Sequence, residues 1–204
     1  MKTAIVSLVA IVAVCGYVLD AAADVEYTFV PPVHPDFRDL DHRMYYTWGI
    51  DTQFSGEILE ATLTFYNIRD WRVEDDALFV HLLDDVASGY NQYYDPVAHG
   101  VVDYFDGQGL LLLEWNDPVG GTPDGIDLEV VFDAAALATL TDYLSQDGNF
   151  GFGLDPDCHY YNDGVEFRVV TSGVVPEPST LVLLGFGVGG LSVARYRSRR
   201  RKRS

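Results

Sequence analysis

The chain has 204 residues, 48% of them apolar and 13% aromatic, which is enough for a core and excludes a disordered chain. Its net charge of −18 is unevenly spread: seven of the 13 basic residues fall in the last ten positions, whereas residues 24–174 carry five basic against 29 acidic side chains, a net −24. A body this acidic repels phosphate backbones and excludes nucleic acid as a partner, and two cysteines exclude both a disulfide scaffold and a four-thiolate zinc site.

Residues 1–23 carry the pattern of a cleavable secretory signal peptide. Met1-Lys2-Thr3 is a short positive start, Ala4 to Val14 is apolar apart from Ser7, and Ala21-Ala22-Ala23 is a small-residue cleavage site. Signal peptidase is the partner this implies, cutting after Ala23. Cys15 follows Val14 rather than a small residue, which argues against a lipidated cysteine. Cleavage leaves Cys158 as the single cysteine of the mature chain.

Residues 24–173 read as one β-rich domain. Runs rich in β-branched and aromatic residues alternate with turn clusters. The expected strands are 25–30, ended by Pro31-Pro32, then 44–50 and 58–66, where Leu59, Ala61, Leu63 and Phe65 alternate as in a half-buried strand. Further strands are expected at 77–83, 101–105, 109–115, 126–132, 150–154 and 165–171. Four consecutive leucines in 109–115 suit a strand covered on both faces. Asp106-Gly107, Asp124-Gly125, Asp147-Gly148 and Asp163-Gly164 supply turns.

One helix is expected over 134–144. Asp133 is its N-cap, Leu137, Leu140 and Leu144 share a face, and Gly148 can end the element. The fold class is therefore mainly β: a two-sheet β-sandwich, jelly-roll-like, with one short helix. An immunoglobulin-like sandwich is the less favoured alternative, because one cysteine cannot supply its inter-sheet disulfide.

The most individual stretch of the body runs from Asp155 through Pro156, Asp157, Cys158 and His159 to Gly164. Asp155, Asp157, Asn162 and Asp163 offer hard oxygen ligands close together in a loop, a candidate calcium site, although the spacing is not that of an EF-hand. A hydrogen-bonded turn capped by the same side chains is the competing reading. Cys158 and His159 adjoin in an extended segment and so point to opposite faces, which argues against a thiol–imidazole pair. Zinc lacks a second thiol in the mature chain.

Paired carboxylates occur at Asp75-Asp76, Asp84-Asp85 and around Asp127 and Glu129. Jelly-roll glucanases place two glutamates on an E-x-D-x-E strand, but Gly125 stands where the first would be. Tyrosine clusters at Tyr45-Tyr46, Tyr90, Tyr93-Tyr94 and Tyr160-Tyr161 can stack on sugar rings or simply pack the sheets.

Val175-Pro176-Glu177-Pro178-Ser179-Thr180 precedes fourteen uncharged residues, Leu181 to Ala194, and then the arginine cluster. At ~1.5 Å per residue the apolar run spans roughly 21 Å, short of a ~30 Å hydrocarbon core. It suits transient inner-membrane anchoring, with the basic end kept in the cytoplasm. Gly185, Gly187 and Gly190 fit G-x-G-x-x-G, but no βαβ unit surrounds them.

This order of motif, helix and charge cluster resembles the PEP-CTERM sorting signal, with Pro176, Glu177 and Pro178 as the name-giving residues. The resemblance covers 174–204. It implies an exosortase as processing partner, and delivery to the cell surface or extracellular matrix of a Gram-negative bacterium that makes exopolysaccharide. The Asp155–Gly164 stretch resembles a segment that recurs near the end of β-sandwich domains in such proteins, and no catalysis comes with it. The function expected is that of an exported, surface-sorted, non-enzymatic protein with a structural or adhesive role beside exopolysaccharide. A secreted polysaccharide hydrolase on a jelly-roll scaffold is the alternative.

Overall fold

The structure, a computed structural model, describes residues 23–32, 36–72, 76–96, 102–117, 120–121 and 124–173. The expected signal peptide and membrane helix lie outside the described residues. Among the described residues no helix is long and apolar enough to cross a membrane. Asp24–Ser172 form one unit, mainly β, with two sheets and one helix.

The strands are β1 Val25–Phe29, β2 Asp39–Leu40, β3 Met44–Asp51, β4 Ile58–Asp70, β5 Leu78–Leu83 and β6 Gly89–Tyr94. They continue with β7 Leu110–Trp115, β8 Ile126–Val131, β9 Asn149–Pro156, β10 Tyr160–Tyr161 and β11 Gly164–Thr171. The helix α1 is Ala134–Gln146. One sheet has the order β1-β11-β4-β10-β2, with β8 also paired to β4. The other has the order β6-β3-β9-β5-β7. Every pairing between these strands is antiparallel.

The two sheets share one core. Phe167 of β11 meets Phe152 of β9 at 4.9 Å and Phe150 at 5.6 Å, edge to face. Phe132 closes the cluster 5.7 Å from Phe167. Each such ring contributes about 1.5–3 kcal/mol by leaving water. Helix α1 lies against β9 and β4 and buries Ala136 and Leu140. Its N-cap is Asp133, whose carboxylate accepts from the Ala136 N–H at 2.8 Å.

On β4 the alternation places Ala61, Leu63 and Phe65 inside, while Leu59 is exposed. The strand then continues four residues beyond its expected end. A bulge between Phe65 and Ile68 shifts the pairing with β8, so that Ile68 and Asp70 become the buried positions. Asn67 sits in the bulge at φ 49°, a conformation asparagine tolerates. Its side chain accepts from the Gly125 N–H at 2.8 Å and donates to Asp163 Oδ2 at 2.9 Å.

Two expected elements differ. The strand covered on both faces is not β7 but β5, with β9 beside it. β7 ends its sheet and pairs only with β5, so Leu111 stays 45% exposed. Residues 102–105 are not a strand either; they form part of a loop. The N–H groups of Val102 and Tyr104 point at the carboxylates of Asp157 and Asp155, at 3.5 and 2.6 Å, instead of entering a ladder. The loop drops Phe105 onto the outer face of the second sheet. Gly153 makes room: a Cβ there would lie 2.9 Å from the Phe105 ring. His81 on β5 is held beneath the loop by Asp103 Oδ2 at 2.8 Å and the Gln108 carbonyl at 3.0 Å.

Strands β2, β6 and β10 have no apolar alternation to announce them. β6 is an edge strand of exposed and half-exposed polar and tyrosine residues.

Candidate functional site

The same loop builds an aromatic groove on the outer face of the second sheet. Tyr45 of β3 lies directly opposite Tyr93 of β6 in the antiparallel register. Their rings stack at 5.0 Å and 22°. Tyr104 of the loop stacks on Tyr45 from the other side, at 3.7 Å and 13°. Phe105 meets Tyr45 edge-on at 5.6 Å. Asp84, Asp85 and Tyr143 help to line the groove, about 400 Å³ in volume. Burial, followed by the neighbouring Tyr104 hydroxyl, pushes the Tyr45 phenol up to about 12, so it keeps its proton and can both donate and accept.

The expected tyrosine clusters therefore divide. Tyr46 and Tyr160 are core residues, 1% and 0% exposed. Tyr93 and Tyr94 are surface residues, 41% and 70% exposed. Tyr104 stands apart from the tyrosine clusters of the sequence and joins Tyr45 only through the loop.

The four oxygen-bearing residues of the candidate calcium loop are distributed over both sheets. Asp155, at the end of β9, is buried and accepts from the Tyr104 N–H. Asp157 follows it under the same loop. Burial pushes both carboxyl groups up to about 7, with charge from Asp95 and Asp103 adding at Asp155 and from Asp155 and Asp76 at Asp157. Asn162 belongs to the turn between β10 and β11, where its amide donates to the Phe37 carbonyl at 2.5 Å and accepts from the Gly164 N–H at 2.9 Å. Asp163 accepts from Asn67. Among the described residues, the groups of three or more His, Cys, Asp and Glu donor atoms lying within 4.8 Å of one another are Asp70–Asp76–Cys158 and Asp41–His42–His159, neither of which includes Asp155, Asp157 or Asp163.

Cys158 and His159 face different surroundings. Cys158 is buried, and its thiol donates to Asp70 Oδ1 at 2.9 Å. His159 instead sits beside Asp41 and His42. Sequence reading missed both companies, because Asp70 and Asp41 reach them only through strand pairing. Of the paired carboxylates, Asp127 and Glu129 lie exposed on β8, where Asp127 Oδ1 accepts from the Asn67 N–H at 2.9 Å.

A family model for the PEP-CTERM protein-sorting motif matches residues 174–201. The chain carries a PEP-CTERM sorting motif. The matched span contains Pro176, Glu177 and Pro178. A PEP-CTERM motif marks an exported protein, sorted through the membrane to the cell surface and processed by an exosortase. No curated protein and no solved structure matches the chain. The motif thus accounts for residues 174–201 and leaves the β-rich body to be read from its own geometry.

Proposed function

We propose that the body is a jelly-roll β-sandwich with a non-enzymatic, structural or adhesive role in the exopolysaccharide matrix of a Gram-negative bacterium. The strand order supports the fold. The first strand pairs with the last, β1 with β11, and β3 pairs with β9, giving β1-β11-β4-β8 and β3-β9-β5-β7, with β6 added at one edge. Two Greek keys folded together have this order.

The stack of Tyr45, Tyr93 and Tyr104, in which Tyr93 is exposed and the other two are half-buried, carries the adhesive reading. Sugar rings present C–H faces that pack on aromatic faces, and flanking carboxylates accept their hydroxyls. The net −24 of residues 24–174 disfavours an anionic glycan and favours a neutral one.

The test is binding of the full chain to a microarray of neutral and anionic bacterial exopolysaccharides. Neutral glycans should bind, and Tyr93→Ala should weaken them about tenfold, near the ~1.4 kcal/mol that one aromatic contact can supply. Equal binding by that variant, or no glycan retained, contradicts the reading. Release of reducing ends from a bound glycan would establish a hydrolase instead.

A further inference from the structure

The pairing of β10 with β2 sets Tyr160 against Leu40 and Tyr161 against Asp39. One step further along the same antiparallel register, His159 comes opposite Asp41. His42 follows Asp41 in the turn that leads into β3. Strand pairing thus brings His159 to Asp41 and His42, two neighbouring donor side chains more than a hundred positions earlier in the chain.

Their donor atoms converge. His42 Nδ1 lies 3.5 Å from Asp41 Oδ1, and His159 Nε2 lies 3.8 Å from Asp41 Oδ2. The two imidazole rings stand perpendicular with centroids 5.2 Å apart. All three donor atoms fall within 4.8 Å of one another. The separations of 3.5 and 3.8 Å are long for hydrogen bonds. They approach the edge of a tetrahedron with metal–ligand bonds of ~2.0–2.2 Å, which is roughly 3.4 Å.

The surroundings hold the ligands in place. His159 is stacked parallel to Tyr161 at 6.0 Å and meets Trp71 at 6.0 Å on another side. Its backbone carbonyl accepts from the Trp71 N–H at 3.1 Å. Arg43 grips Asp41 through three contacts, Nη2 to Oδ2 at 2.9 Å, Nε to Oδ1 at 3.3 Å and its backbone N–H to Oδ1 at 3.0 Å. A carboxylate has about four lone-pair sites, so these contacts leave one on Oδ2, the oxygen nearer His159, for an ion. An outer partner such as Arg43 orients a metal-binding carboxylate.

We propose that Asp41, His42 and His159 form a surface site for a borderline divalent transition ion, Zn²⁺ foremost. Two imidazoles and one carboxylate are the donor set such ions take, with a fourth position left to water or to Asp39, whose Oδ1 lies 3.7 Å from His159 Nε2. Calcium, which prefers six to eight oxygens, does not fit it. The site is separate from the tyrosine groove and stands or falls independently of the adhesive reading.

The test is calorimetric titration of the full chain, purified in detergent and stripped with chelator, using Zn²⁺ and, as control, Ca²⁺ at matched ionic strength. One equivalent of Zn²⁺ should bind and Ca²⁺ should not compete. His159→Ala and His42→Ala should each weaken Zn²⁺ at least about tenfold. His42 is well exposed, so that variant keeps the fold, and far-ultraviolet circular dichroism verifies it. Cys158→Ser should leave the affinity unchanged. Absence of stoichiometric binding, binding indifferent to both histidine variants, or binding abolished by Cys158→Ser would each overturn the proposal.

Discussion

Asp155 and Asp157 lie beneath the 102–109 loop, and burial raises both carboxyl groups to about 7. Unfolding returns them to ~3.9. Between these values the folded state binds more protons than the unfolded one, so stability falls as pH rises from about 4 to about 7. The lowered group Asp41 works in the opposite sense, but only below about pH 4. The melting temperature should therefore be several degrees higher at pH 5 than at pH 7.5 at fixed ionic strength. Asp157→Asn should reduce that difference without abolishing it, since an amide does not titrate there and Asp155 still does. A flat profile in the unaltered chain would show that the two carboxyl groups ionise without cost under the loop.

The elements were unequally legible. β4, β8 and β11 announce themselves because one face is buried and one is wet, so period-two alternation survives in residues such as Ala61, Leu63 and Phe65. Helix α1 is legible from Asp133 and its leucine face. The 102–109 loop is not, because Val101 to Phe105 has strand composition while its N–H groups are taken by carboxylates some fifty residues away. For the same reason the four consecutive leucines of β7 mislead. Coverage of a strand's outer face depends on what crosses it, and the loop crosses β5 and β9. Gly153 is the trace this leaves in sequence, a position where a side chain would strike Phe105. Gly153→Ala should cost about 1–3 kcal/mol, the range for overpacking, in chemical denaturation. Phe105→Ala combined with it should cost less than the sum of the two single changes, since the clash and the lost contact share one space. Strict additivity would mean that the loop does not lie on the sheet at that point.

At the scale of the whole molecule, the sorting signal was the most legible part of the chain, since Pro176-Glu177-Pro178, the apolar run and the arginines occur in fixed order. The groove and the histidine cluster were not legible, because Tyr45 meets Tyr104 and Asp41 meets His159 only through tertiary pairing. Export followed by processing at the sorting motif is what would bring the body to its place of action. As a helix, an apolar run of fourteen residues would span roughly 21 Å against a ~30 Å hydrocarbon core, which is the reason to expect a temporary anchor rather than a permanent one. Mass spectrometry of the mature protein recovered from the cell surface tests this most directly. Peptides from residues 24–173 should be present, and none from 181–203. Recovery of the 181–203 peptide joined to the mature body would contradict the account.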